Sequence, residues 1–154
     1  MKVRRYIKGE EDVLWDVFYN TIHEINIRDY TEVQTSAWAP VDFDQKIWTK
    51  KIRSINPFVV EHEGNIIGYA DLQSSGLIDH FYCDHRWQRK GVGTMLMKKI
   101  HDEAKVLGIT TLISEVSITA KPFYISQGFS VIQEQWLEVR GQKLNNYKMQ
   151  KVLK

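Results

Sequence analysis

Two glycines one residue apart, Gly91 and Gly93, stand between a basic cluster and an apolar run in the stretch "DHRWQRKGVGTMLM" (84–97). Phosphate binding requires free backbone N–H groups, side chains small enough to let the anion approach, and the positive end of a helix dipole. Glycines at the start of a helix that follows a strand supply all three. His85, Arg86, Arg89 and Lys90 add cationic or potentially cationic groups. A capped helix with a solvated basic turn fits an isolated Gly-x-Gly equally well. Two nucleotide motifs are excluded. No G-x-x-x-x-G-K-[ST] run exists, and Leu96 stands where a dinucleotide fingerprint needs its third glycine.

A second group of reactive side chains lies just upstream, in "LIDHFYC" (77–83). Read as a continuous strand, it places Asp79 on one face with Leu77, Phe81 and Cys83, and His80 on the other with Ile78 and Tyr82. That alternation keeps His80 and Cys83 apart, so His80, Cys83 and His85 do not read as a metal site, and no metal is expected. Cys83, the only cysteine, reads as a core residue rather than an acyl-enzyme nucleophile. Glu115 stands on a neighbouring predicted strand. Tyr30, Gln34 and Trp38, in "YTEVQTSAW", have the character of a pocket wall, while Trp38 and Trp48 serve equally as packing anchors. Acidic residues of the first half, such as Glu24, Asp29, Glu32, Asp42 and Asp44, suit attraction of a cation or simply a solvated face.

The elements that position these groups follow from periodicity and breakers. "KVRRYIK" reads as a strand ending at Gly9. A helix with Glu10, Glu11 and Asp12 in its first turn buries Val13, Leu14, Val17, Phe18, Thr21, Ile22 and Ile25. "DYTEVQTSAWAP" is a short helix or ordered loop, and "FDQKIWTKKIRSI" a short helix capped by Asp42. "FVVEHE" and "IIGYADL" form a hairpin about Gly64-Asn65. After "LIDHFYC", a long helix runs from about Gly91 to Leu107 with Val92, Leu96, Ile100, Ala104 and Leu107 inward, ending at Gly108. "TTLISEVS" is a strand, "TAKPFYISQ" a short helix closed by Gly128, and "FSVIQEQWLEVR" with "KLNNYKMQKV" a hairpin about Gly141.

At 154 residues, with 43% hydrophobic and 26% charged residues and no linker, the chain reads as one domain, residues 1–154. A formal charge of +2 is too small to make nucleic acid the default partner, although Arg86, Arg89 and Lys90 flank a stacking-capable Trp87. A lone cysteine, a start without an apolar signal core and the absence of about 18 consecutive apolar residues point to a cytoplasmic protein without a membrane partner.

"QRKGVG" resembles the Q/R-x-x-G-x-G/A signature of the GNAT superfamily of N-acetyltransferases, with Gln88, Gly91 and Gly93 at its defining positions. The superfamily often shows N-x-x-A-x-x-x-Y-x-x-x-G-F as well, and "SITAKPFYISQGF" puts Ala120, Tyr124, Gly128 and Phe129 in register, with Ser117 in place of the asparagine. "SITAKPF" and "VRGQKLNNYKM" look like the bacterial YafP-type branch. The resemblance covers essentially the whole chain. It implies an α/β (α+β) GNAT fold: a single mixed, mostly antiparallel sheet of six or seven strands, splayed at its centre and flanked by helices.

The same resemblance implies acetyl-CoA as cosubstrate, with no metal. Backbone amides of Gln88, Arg89, Lys90, Gly91, Val92, Gly93 and Thr94 would take the pyrophosphate, and the edge of Phe81, Tyr82 and Cys83 the pantetheine arm, with Ser117 nearby. Direct transfer to an amine needs a neutral nucleophile, an oxyanion donor and a proton for the departing thiolate. Tyr124 matches the family's acid. Asp79 is the favoured base, with His80 and then Glu115 as rivals. Tyr30, Gln34, Trp38, His80 and Glu115 would surround the amine acceptor, whether small molecule or peptide. The C-terminal hairpin offers an edge for a homodimer.

Overall fold

The computed structural model describes all 154 residues, in eight strands and five α-helices. Their order is β1 (Lys2–Arg5), α1 (Glu11–Glu24), α2 (Glu32–Trp38), α3 (Gln45–Ile55), β2 (Phe58–His62), β3 (Asn65–Ala70), β4 (Leu77–Ile78), β5 (Phe81–Cys83), α4 (Val92–Leu107), β6 (Thr111–Ser117), α5 (Lys121–Ser126), β7 (Ser130–Val139) and β8 (Gln142–Val152). No helix is long and apolar enough to cross a membrane.

The strands form two four-stranded sheets rather than one sheet of six or seven strands. The first has the order β1-β2-β3-β5 and is antiparallel throughout. In the second, β4-β6-β8-β7, β4 runs parallel to β6 and the remaining pairs are antiparallel. The expected strand 77–83 is therefore two pieces, one in each sheet, and the alternation anticipated for Asp79 and His80 does not hold, because both lie in the break. The cause is Asp71, wholly shielded from solvent just past the end of β3. Its Oδ1 accepts the N–H of Asp79 at 2.8 Å and of His80 at 2.7 Å. Amides satisfied by a side chain cannot continue a ladder, and the chain turns from one sheet to the other.

Alternation along the first sheet sends Phe58 and Val60 toward α4 and Val59 toward α1 and α3. On the α4 side, Leu96, Met97 and Ile100 meet Leu112 and Met149 of the second sheet, so α4 packs against both. On the other side Leu14, Ile22 and Ile52 close over Val59 and Tyr69. Two stripes shift from expectation. Val13 is exposed, and in α4 Met97 is buried while Leu107, in the frayed last turn, is exposed. Helix α3 is capped by Asp44, whose carboxylate accepts from Lys46 N–H at 2.9 Å, not by Asp42. Helix α2 is a true helix, opened by a reciprocal capping box between Thr31 and Gln34.

Gly68 sets how closely α4 approaches β3. A Cβ there would stand 2.7 Å from Val92 Cγ1 and 3.2 Å from the Tyr82 carbonyl. Val92 is buried and branched and has little room to yield. Gly68→Ala should lower stability by about 1–3 kcal/mol through overpacking, read as a reduced urea midpoint with unchanged m-value.

Candidate active site

Where the sheets part, β5 has β3 on one side only, and its other edge is open. The bonds from Asp71 N–H to the His80 carbonyl and from Asp84 N–H to the Ile67 carbonyl fix the alternation. Phe81 and Cys83 thus turn their polar backbone groups to the open edge. The Cys83 carbonyl there is already occupied, by the Thr21 hydroxyl at 2.8 Å and by Gln88 Nε2 at 2.9 Å. Gln88 accordingly ties the glycine loop to β5.

The loop has the shape of an anion cradle. Arg89 and Gly91 both adopt positive φ, 58° and 85°, and the first helical bond is from Met95 N–H to the Gly91 carbonyl. The N–H groups of Val92, Gly93 and Thr94 in the first turn of α4 have no intrahelical partner. Gly91 is needed for its dihedral. Gly93 is needed for packing, since a Cβ would meet the Phe123 ring at 3.1 Å. Val92 buries its side chain and offers only backbone. The basic cluster is divided: Arg86 pairs with Asp84 at 3.1 Å, and Lys90 lies 5.2 Å above the Trp87 ring. Arg89 and Lys90 remain exposed beside the free amides.

Between β5 and β6 a cavity of about 50 Å³ is walled by Phe81, Tyr82, Ser114, Ser117, Ala120 and Tyr124, with Asp79 and Glu115 at its border. Helix α5 starts with Pro122 in its first turn and carries Tyr124 into this space. The Tyr124 hydroxyl is 3.4 Å from Ser114 Oγ, which itself donates to the Ile78 carbonyl at 2.9 Å. Burial raises the Tyr124 phenol well above its ordinary value, only partly offset by Ser114, so it holds its proton at neutral pH. Burial likewise pushes the Cys83 thiol up to about 12, which makes it a poor nucleophile.

A larger cavity of about 340 Å³ adjoins the first and shares Asp79, Tyr82, Glu115 and Ser117 with it. Phe18, Tyr30, Trp38, Leu137 and Leu144 give it apolar walls. Tyr30 and Trp38 therefore stand in a cavity wall. Gln34 does not: its side chain closes the α2 cap and donates to the Lys143 carbonyl at 2.9 Å. Ser117 Oγ accepts the Ala120 N–H at 3.0 Å, capping the entry to α5. None of the acidic residues Glu24, Asp29, Glu32, Asp42 and Asp44 lines this cavity.

The three candidate bases differ in their surroundings. Asp79 forms an ion pair with Lys51 of α3 at 2.5 Å. Glu115 has no cation within 4.0 Å. The His80 ring stacks on Phe18 and bonds through Nδ1 to the Tyr69 hydroxyl at 2.9 Å. Burial depresses His80 to about 4, leaving it neutral. Tyr69 is fully buried and its phenol is raised, so it keeps its proton, and where that proton is given to Nδ1 His80 carries its own on Nε2. In that tautomer His80 presents a donor, not a base. Asp71, Lys51, Ser114 and Phe18 are parts of the site that sequence reasoning missed. Only Asp71 left a trace, as a charged residue ending the apolar run "IIGYADL".

The chain that folds into this cleft has relatives among known proteins. Residues 26–151 match the family described as acetyltransferase (GNAT) domain. The chain belongs to the GNAT acetyltransferase family. It is 27% identical to the Escherichia coli K12 protein described as uncharacterized N-acetyltransferase YafP, over 97% of this chain and 94% of that one. A GCN5-related N-acetyltransferase from Rhodopseudomonas palustris superposes with a TM-score of 0.94 at 25% identity, covering 99% of this chain and 95% of that one. The Salmonella typhimurium yncA structure, described as a putative acetyltransferase with its cofactor acetyl-CoA, shares the fold at a TM-score of 0.73 and 18% identity, covering 100% of this chain and 94% of that one. Of the signature residues of this GNAT chain, Ser117, Ala120 and Tyr124 line the small cavity, and Gln88 and Ser117 spend their side chains on internal bonds.

Asp71 gives the cleft a pH signature. Burial raises its carboxyl to about 6, although the bonds from His80, Gln73 and Asp79 pull the other way. The folded value lies above the unfolded one, so the stability contributed by this proton is full below about pH 4 and is lost as pH rises through about 6. Urea midpoints for wild type and Asp71→Asn should therefore converge or cross along a difference curve that slopes only between about pH 4 and 6; a flat difference across that window would refute the assignment.

Proposed function

We propose that the protein transfers the acetyl group of acetyl-CoA to a primary amine, by direct attack with both substrates bound. The observation that carries this reading is the shared wall between the two cavities. Tyr124, which keeps its proton, and two carboxylates, Asp79 and Glu115, border the same small space at the open edge of β5. Bound acetyl-CoA supplies an activated thioester. The backbone from Gln88 to Thr94 suits its pyrophosphate, since free N–H groups converge there with Arg89 and Lys90 alongside. The free backbone groups of Phe81 and Cys83 suit its pantetheine arm.

In this assignment Asp79 takes the proton from the amine. Its backbone is pinned by Asp71, and Lys51 holds one carboxylate oxygen, so its position is fixed. Glu115, free of a partner and across the cleft, attracts the ammonium form of the acceptor. Tyr124 returns a proton to the thiolate as the C–S bond breaks and the C–N bond forms. His80 directs its Nε2 proton as a hydrogen-bond donor to the acceptor.

The decisive experiment follows thiol release from acetyl-CoA across a panel of amines. Tyr124→Phe should leave CoA affinity nearly unchanged and slow thiol release by about 10–100-fold, and Asp79→Asn should do the same. Glu115→Gln should raise KM with kcat within about threefold. An unchanged rate in Tyr124→Phe removes it as the acid. Tight CoA binding without turnover of any amine would instead identify an acyl-CoA-binding module.

A further inference from the structure

The acceptor cavity has a neighbour of opposite charge. A cleft of about 220 Å³ lies beyond Phe18, Trp38 and His80, which line both spaces. Its lining contains Lys51 and Arg140 and no carboxylate. The acceptor cavity has Asp79 and Glu115 and neither lysine nor arginine. The small cavity beside Tyr124 shares Asp79, Tyr82, Glu115 and Ser117 with the acceptor cavity, but only Trp38 with the cationic cleft. The three spaces therefore run in order: donor end, acidic chamber, basic cleft.

Of the two cations, Lys51 is engaged with Asp79. Arg140, from the turn between β7 and β8, donates one Nη1 bond to the Ala37 carbonyl at 2.7 Å. Its guanidinium lies 5.0 Å above the Phe43 ring, which stacks on Trp15 at 5.4 Å. No carboxylate lies within 4.0 Å of it, and the rest of its donor fork is unspent. Trp48 contributes only its ring, because its indole N–H donates to the Glu11 carbonyl at 2.8 Å.

We propose that the acceptor is an amine that also carries a carboxylate on a flat apolar body. Its amine faces Asp79 and Glu115, its body spans Phe18, Trp38 and His80, and its carboxylate reaches Arg140. This rests on the transferase reading for the identity of the reacting amine. The charge order supports it: Arg140, exposed and paired with no carboxylate, offers a far-end carboxylate a partner that a plain amine does not use, and an acceptor with only negative charge meets two carboxylates before the donor end. The Nε2 proton of His80 adds a neutral donor at the shared wall.

The test is calorimetric titration of the CoA-saturated protein with para-aminomethylbenzoate and with its methyl ester, which replaces the far-end carboxylate by a neutral group one methyl larger. The acid should bind about tenfold more tightly, the worth of one charge-assisted contact. Arg140→Gln should abolish that preference and leave ester affinity within about twofold, while Arg140→Lys keeps most of it. Equal binding of the two probes, a preference that survives in Arg140→Gln, or no binding of either overturns the proposal. Acetyl transfer is followed separately. Equal turnover of acid and ester removes this proposal and leaves the transferase reading standing, whereas selective binding without transfer does the reverse.

Discussion

A carboxylate with no exposure to solvent accepts the N–H groups of two consecutive residues, and the division of the protein into two sheets follows from those bonds. Without Asp71, residues 77–83 have the composition of one ordinary strand. With it, the amides of Asp79 and His80 are withdrawn from any ladder, β4 remains beside β6, and β5 departs with β3. The wedge left between them is the site. A buried carboxylate is costly unless its lone pairs are used, and here three donors use them, the third being Gln73. Two of those three donors, Asp79 and His80, also line the 340 Å³ cavity.

Burial then sorts the ionisable groups. Tyr124, Tyr82 and Cys83 are all raised by desolvation, and His80 is lowered, so the deep end of the cleft is uncharged. The charged residues that line the cavities are Asp79 and Glu115 in the larger one and Lys51 and Arg140 in its neighbour, with Asp79 and Lys51 paired where the two meet. Interactions among these charges are screened by solvent, while a proton held on Tyr124 is not subject to such competition.

Much of this was legible in the residues. Glycine punctuation and apolar periodicity located the helices to within a few residues, because those signals are local. Gln88 and Gly91 marked the loop before α4, and Ala120 and Tyr124 the small cavity, although Gln88 and Gly93 act through internal bonds and packing rather than by the contacts their motif suggests. The break at Asp79 was invisible, since it depends on a carboxylate eight residues away whose reach is set by tertiary packing. Lys51 and Arg140 were equally silent. A surface cation in a helix or a turn has no pattern of its own, and their meeting in the 220 Å³ cleft depends on tertiary packing that brings α3 and the turn between β7 and β8 together. Gln34 misled for the opposite reason: its proximity to Tyr30 and Trp38 in the chain concealed a stronger local use as a helix cap.

The open edge of β5 has a further consequence. Unpaired strand edges invite other chains to add to the sheet, which is why long, flat edges are aggregation hazards. This one is three residues long, recessed between two sheets, and has one of its outward carbonyls already claimed by Thr21 and Gln88. What is left is too short to template a β-strand from a neighbouring protein, yet sufficient to align a single narrow, amide-bearing thread. Brevity at β5 thus protects the edge: it leaves only one or two rungs, too few for another chain to pair in register.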